Sequence, residues 1–326
     1  MKICIYGAGA VGGNFATRLA MAGEDVCVIA RGAHLEAIKQ NGLKLLVGDE
    51  TFHVHLKATH DPAEVGIQDV VIVTVKGPSL PGIVDSIKAL IGDETSIIFA
   101  MNGIPWWYFY GIDEPGKERR IDILDPGNRW WNEIGPERVV GGVIYSGNIV
   151  VEPGVVRNDS VGYNLLIIGE PNGSISERCN RINAALDRAG LSAPVVDDIR
   201  HRIWAKLLHN LAFAPVCTLT SSTVSDIISN EELKILCINI MEEGLAIADA
   251  VGIRLDIDLE GRLNSVFKNM DHKPSMLQDF ELGRLLEIDS ILSTPQTFGR
   301  LKGVPTPNMD TVIALLKQRA RSAGLY

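Results

Sequence analysis

Among the residues suited to chemistry in this chain are a lysine and an amide one helical turn apart. Within Ile203-Trp204-Ala205-Lys206-Leu207-Leu208-His209-Asn210, Lys206 and Asn210 are four positions apart and share a helix face. An ammonium beside an amide can bind an anion, or hand a proton to an oxygen that is gaining negative charge. The same pair also suits the solvent side of an amphipathic helix, and spacing alone leaves both readings open. A second group follows. Ser275-Met276-Leu277-Gln278-Asp279 reads as a serine N-cap opening a helix. Glu287-Ile288-Asp289 comes two to three turns later on that helix, which sets Glu287 roughly over Asp279. Taken alone, these too are ordinary helix residues.

A third group stands near the start. Gly7-Ala8-Gly9-Ala10-Val11-Gly12 follows the apolar run Lys2 to Tyr6 and precedes Phe15, Leu19 and Ala22 at helical spacing. A glycine-rich turn between strand and helix lets the backbone approach a diphosphate, which then rests on free N–H groups at the positive end of the helix dipole. Gly7, Ala8, Gly9, Ala10, Val11 and Gly12 are therefore candidate dinucleotide contacts. The plainer alternative is a tight turn that needs glycine for positive φ. A second strand, Asp25 to Ala30, runs into Arg31, where an acidic residue usually holds the 2′-hydroxyl of NAD. A guanidinium there can pair with a 2′-phosphate in two-pronged geometry. The expected cofactor is NADPH/NADP.

The elements between these groups must position them. Ala33 to Asn41 has helical spacing, and Leu43 to Leu56 reads as a hairpin interrupted at Gly48-Asp49. Asp69 to Val75 is a buried-type strand followed by Lys76, Pro81 to Leu90 a helix, and Thr95 to Met101 a strand followed by Asn102-Gly103. Strands alternating with helices imply a parallel sheet with right-handed crossovers. Ligands collect beyond the carboxyl ends of such strands. Gly7, Arg31, Lys76 and Asn102 all stand just past a strand end, with Lys76 and Asn102 expected near the nicotinamide. Ile104 to Arg138 breaks the pattern and holds Trp106, Trp107, Trp130 and Trp131, with Tyr108, Phe109 and Tyr110 beside the first pair. So much aromatic area needs cover. A lid or pocket wall beside Asn102, a self-packed loop and a subunit contact would each supply it.

Val139 to Ile168 suggests antiparallel strands completing the sheet, and Ser174-x-x-Glu177 a capping box opening a helix that stops at Gly190. Ala193 to Val196 is one more short strand. Beyond Asp197 only helical spacing remains. The expected helices are Arg200 to Ala214, ended or kinked by Pro215, then Glu231 to Val251, Leu259 to Lys268, Met276 to Leu292 and Met309 to Arg321. The fold class is α/β: an N-terminal Rossmann-type doubly wound sheet over 1–197, with an aromatic insertion at about 104–138, then an all-α domain over 198–326.

Composition narrows the partners. A 326-residue chain with 46% hydrophobic and 22% charged residues can build two cores and carries no disorder signature. A net charge of −9 without a basic block argues against nucleic acid. No run approaches ~18 apolar residues, and no signal-peptide pattern opens the chain, so no membrane segment is expected. Five scattered cysteines read as reduced thiols of a cytoplasmic protein without metal-ligand spacing. The long helix from Glu231 could bury a face in a homodimer or serve its own core.

The ordered set of GAGAVG, Arg31, Lys76 after VVIVTV, Asn102-Gly103, WAKLLHN, SMLQD, LLEID and GVPTPN resembles the ketopantoate reductase (2-dehydropantoate 2-reductase) family over nearly the whole chain. The resemblance implies reduction of a 2-oxo acid with NADPH. Lys206 would be the catalytic lysine that protonates the oxygen, and Glu287 the glutamate that contacts the nascent hydroxyl. Asn102 and Lys76 would be cofactor and active-site contacts, and Asn210 and Ser275 substrate contacts. Two departures stand out. The family usually has a second asparagine four residues after Asn210, where this chain has Ala214, and the aromatic stretch is longer than usual. Both suggest a bulkier or more apolar 2-oxo acid. Another two-domain dehydrogenase, of 3-hydroxy acid or opine type, or an NADPH-binding protein without catalysis, are the competing classes.

Overall fold

The computed structural model describes residues 1–112, 120–160, 163–259, 261 and 273–326. They form two compact units, Met1–Met101 with Trp106–Ile199, and Asn102–Pro105 with Arg200–Tyr326. The short segment Asn102–Pro105 thus belongs to the helical unit, which a single boundary near Asp197 does not foresee.

The first unit begins β1 (Lys2–Tyr6), α1 (Ala10–Met21), β2 (Asp25–Ile29), α2 (Gly32–Asn41). Next come β3 (Leu43–Val47), β4 (Glu50–Val54), β5 (Lys57–Thr59), β6 (Val70–Val73), α3 (Val84–Ile87) and β7 (Ser96–Phe99). It closes with β8 (Val139–Tyr145), β9 (Asn148–Glu152), β10 (Val155–Asn158), β11 (Leu165–Gly169) and α4 (Glu177–Arg188). Seven strands pair in the order β11-β8-β7-β6-β1-β2-β5, parallel except for β8 with β11. The central strands are short runs of Val, Ile and Cys, buried along nearly their whole length, as a sheet covered on both faces requires. The chain first winds outward from β1 to β2 and β5, then returns to β6 on the other side of β1. The carboxyl ends of β1 and β6 therefore flank a topological switch point, where such sheets take ligands.

Several expectations need correction. β9 and β10 do not complete the main sheet; they join β3 and β4 in a four-stranded sheet of order β4-β3-β10-β9. This second sheet packs on α1, where a Cβ on Gly13 would sit 2.6 Å from Val156 Cγ2. The capping residue of α4 is Ser176, whose hydroxyl accepts from Cys179 N at 3.2 Å. Ser174 is occupied elsewhere, donating to Asn172 Oδ1 at 2.8 Å. Pro81 to Leu90 is not one helix, because its start, at Pro81, lies inside a 3₁₀ stretch, Gly77–Ile83, that precedes α3.

The aromatic insertion is a piece of core. Trp106, Trp107, Tyr108 and Trp130 are all fully buried. Trp130 stacks on Trp106 at 5.9 Å between centroids and meets Phe99 of β7 edge-on at 5.2 Å. Its indole N–H donates to Leu80 O at 3.2 Å, and Asp125 caps the turn beneath it, accepting from Trp130 N at 2.9 Å and Trp131 N at 3.0 Å. These contacts are those of the self-packed alternative.

The second unit contains α5 (Ile199–Thr220), α6 (Val224–Ser229), α7 (Glu231–Ala250), α8 (Ser275–Glu281), a π-helical turn (Asp289–Ser293), α9 (Thr294–Lys302) and α10 (Pro307–Ser322). Pro215 does not end its helix: α5 runs through it, buried at Phe213, Ala214, Val216 and Cys217, so tertiary packing outweighs a penalty of ~3 kcal/mol. Met276 to Leu292 is not one helix either. α8 stops at Glu281, and the chain turns through Gly283 at φ +64°. Glu287 therefore does not lie over Asp279 on a shared helix. α7 spends its apolar face within the unit, where a Cβ on Gly244 would stand 2.8 Å from both Leu208 and Leu211 of α5. The helix expected from Leu259 to Lys268 lies outside the described residues but for Leu259 and Gly261.

If the aromatic cluster is core, Trp130→Ala should cost ~3–5 kcal/mol of stability. Chemical denaturation measures it, and a loss below ~1 kcal/mol would mark the segment as a peripheral flap.

Candidate active site

In the helical unit, three side chains expected from sequence form one chain of contacts. Lys206 Nζ, on α5, donates to Asn102 Oδ1 at 2.8 Å. Asn102 Nδ2 donates to Glu287 Oε2 at 3.2 Å. The amide thus faces a cation with its oxygen and an anion with its nitrogen, so both charges dictate one orientation. Glu287 is buried, whereas Asn102 and Lys206 keep partial exposure. Protein crowding around the ammonium lowers its pKa from the ordinary lysine value to about 8, against the opposing pull of the Glu287 carboxylate.

Local backbone explains why these groups meet. Ile104 N donates to Ser290 O at 2.8 Å, which pins the segment after Asn102 to the π-helical turn. Gly103 is required there: its φ is +85°, and a Cβ would stand 2.4 Å from Ser290 O. Glu287 stands two residues before the same turn, its carbonyl accepting from Ile291 N at 3.3 Å. π-helical turns of this kind are frequent at functional sites. One turn of chain therefore anchors two members of the trio.

Asn210 lies one turn beyond Lys206 on α5, half-buried. Ser275 is not an N-cap. Pro274 occupies that position, and Ser275 is the exposed first residue of α8.

In the sheet unit, Arg31, Gly7 and Lys76 follow the adjacent strands β2, β1 and β6 at their carboxyl ends. Arg31 is the exposed, extended residue before α2, and Lys76 the extended residue before the 3₁₀ stretch. The glycine turn is tight on one side and open on the other. A Cβ on Gly12 would stand 2.1 Å from Gly7 O, while one on Gly9 would meet nothing within 4 Å. The N-cap of α1 is Gly9, which offers no side-chain cap, so the N–H groups of Ala10, Val11 and Gly12 have no intrahelical acceptor. That open cradle fits a dinucleotide diphosphate. Among the described residues no group of three or more His, Cys, Asp or Glu could hold a metal ion.

Two supports of the turn escaped sequence reasoning. Thr74 Oγ1 donates to Gly7 O at 2.5 Å. His34 Nδ1 accepts from Gly154 N at 3.0 Å, so its Nε2 carries the proton and donates to Ala8 O at 2.7 Å. These partners are 67, 120 and 26 positions apart, and nothing in spacing links them.

A Rossmann-type sheet followed by an all-helical unit defines the class of protein. The chain belongs to the ketopantoate reductase family: the model described as Ketopantoate reductase PanE/ApbA matches residues 3–173, and its C-terminal counterpart residues 198–320. It is 43% identical to a 2-dehydropantoate 2-reductase of Mesorhizobium japonicum, with 100% of both chains covered. A crystal structure from Ralstonia solanacearum MolK2 matches with a TM-score of 0.94 at 39% identity, covering 100% of this chain and 99% of that one. A 2-dehydropantoate 2-reductase structure from Geobacter metallireducens matches with a TM-score of 0.85 at 30% identity, covering 98% and 100%.

Because the Glu287 carboxylate holds the lysine's pKa up, Glu287→Gln should lower the Lys206 midpoint below about 8. NMR titration of labelled lysine checks it, and an unchanged midpoint would show that the two charges are not coupled.

Proposed function

We propose that this chain is an NADP-dependent oxidoreductase that reduces the keto group of 2-dehydropantoate to the hydroxyl of pantoate. The observation that carries the reading is the Lys206–Asn102–Glu287 chain, which holds a cation of lowered pKa by a single amide. The family and the names of its full-length relatives support the substrate.

The glycine turn Gly7 to Gly12 would hold the diphosphate, Arg31 the 2′-phosphate, and Lys76 and Asn102 the nicotinamide end. NADPH, when bound, supplies hydride to the carbonyl carbon. Lys206 then does the work that only a positioned acid can do. As charge builds on the substrate oxygen, its ammonium offsets that charge and transfers a proton from Nζ. An acid with a pKa near 8 gives up that proton more readily than an ordinary lysine, yet remains largely charged at neutral pH. Asn102 fixes the ammonium's direction, and Glu287 orients the nascent hydroxyl. Asn210 and Ser275 are assigned to the polar end of the substrate.

The bulkier-substrate expectation loses much of one of its two supports, because Trp106, Trp107 and Trp130 are buried in packing the sheet unit. Ala214 is itself buried within α5. Ketopantoate is therefore the expected best substrate. Five free, buried cysteines support a cytoplasmic setting. Among the described residues no helix is long and apolar enough to cross a membrane.

Steady-state assays with NADPH and a 2-oxo acid panel should give ketopantoate the highest kcat/KM. Lys206→Ala should lower kcat by ~10²–10⁴-fold. Since the protonated lysine is the acid, wild-type kcat should be level below about pH 8 and fall above it. Unimpaired turnover by Lys206→Ala would instead favour a dehydrogenase of 3-hydroxy acid or opine type. NADPH binding without turnover of any carbonyl would favour a non-catalytic role.

A further inference from the structure

The last two residues of the chain, Leu325 and Tyr326, bracket Glu287. Leu325 O accepts from Leu286 N at 3.1 Å, one residue before the glutamate. Tyr326 Oη donates to Asp289 Oδ1 at 2.7 Å, two residues after it. The stretch 284–287 between α8 and the π-helical turn has no regular structure of its own, so its course depends on such outside contacts. The same Asp289 oxygen accepts from Ser293 Oγ at 3.0 Å, which ties the carboxylate to its own turn. The bracket is anchored in turn to α10. Leu325 is buried and its N–H donates to Ala320 O at 2.9 Å. The phenol ring lies 5.5 Å from Lys317 Nζ and 5.3 Å from the Arg321 guanidinium.

We propose that Tyr326 is a positioning residue for Glu287, its hydroxyl on Asp289 setting where the glutamate carboxylate meets Asn102 and hence how firmly Lys206 is held. The role rests on the reading of Lys206 as the proton donor. The hydroxyl contacts no reacting atom; it acts through the backbone on either side of Glu287. Asp289 faces the hydroxyl, Lys317 and Arg321 face the ring, and Glu287 is the charge that acts on Lys206. Burial and Asp289 push the Tyr326 phenol up to about 12, so it keeps its proton across an ordinary assay range.

Tyr326→Phe tests this, because it keeps the ring against Lys317 and Arg321 and removes only the hydroxyl. The expected result is kcat lower by about three- to tenfold, the scale of one hydrogen bond, with KM for NADPH unchanged. The alkaline limb of the kcat–pH profile should also move to lower pH, in the same direction as in Glu287→Gln. Combining Tyr326→Phe with Glu287→Gln should move the limb no further than Glu287→Gln alone. A wild-type limb in Tyr326→Phe would overturn the proposal, including a case where kcat falls together with the thermal midpoint. Additive shifts in the double variant would overturn it as well. Failure of the underlying reading shows separately, as unimpaired turnover by Lys206→Ala.

Discussion

Holding an ammonium inside protein is costly unless its donors are met and a counter-charge is near. Lys206 meets that requirement indirectly among its contacts, through an amide that also touches Glu287. An amide between two opposite charges does something that a direct ion pair does not. It satisfies a donor on one side and an acceptor on the other while leaving the proton on lysine available for transfer. A contact pair of lysine and carboxylate would raise the lysine's pKa and hold its proton more tightly. With Asn102 between them, burial prevails and the value falls to about 8.

That arrangement demands a fixed amide, and the surrounding backbone is shaped to give one. Residues 102–105 leave the neighbourhood of β7 in sequence and pack with the helical unit. Gly103 makes the approach to Ser290 sterically possible, and the Ile104 N–H bond secures it. The wider π-helical geometry of Asp289–Ser293 lets one turn receive this segment on Ser290 O while beginning two residues after Glu287. In the sheet unit, α1 is fixed by comparable means. Asn14 Nδ2 donates to Asn164 Oδ1 at 3.0 Å, which also accepts from Ser146 Oγ at 2.6 Å and Asn158 Nδ2 at 2.9 Å. A buried polar hub of this kind specifies one placement of the helix whose open end fits a diphosphate.

What could be read in advance divides along physical lines. Parallel strands were legible because burial on both faces leaves an unbroken Val/Ile run, and the helical unit because its apolar spacing is long. The chemistry of Lys206, Asn102 and Glu287 is legible through the ordered family motifs they stand in, since spacing alone leaves each an ordinary residue. Their connection is not. Asn102 lies 104 positions from Lys206 and 185 from Glu287, and only the folded chain makes it their shared partner. Local rules failed where tertiary packing overrode them. Pro215 sits inside a buried helix, and Ser174 lost its cap to Ser176 because Asn172 engages its hydroxyl. The aromatic segment misled for a related reason. Its polar, glycine- and proline-rich flanks look like a surface insertion, whereas Asp125 and Leu80 O satisfy the backbone and indole donors that let Trp130 go inside.

The GVPTPN landmark shows how a motif can matter to chemistry without touching it. Pro307 and Asn308 open α10, and Glu243 of α7 caps that opening. It accepts from Asn308 N, Asn308 Nδ2 and Met309 N, each at 2.8 Å. A carboxylate at a helix N-terminus both fills orphan donors and offsets the dipole. The start of α10 is therefore locked to α7, and a helix of 16 residues carries that fixed origin to its far end. There Leu325 meets the Leu286 backbone and Tyr326 the Asp289 carboxylate, on either side of Glu287. Glu243 at the start of α10 and Tyr326 past its end thus frame a helix whose far end meets the residues on either side of Glu287. Such a role cannot be found by searching for reactive residue types, since Pro307 and Asn308 have none of the chemistry. It follows only from asking what holds the reactive groups still.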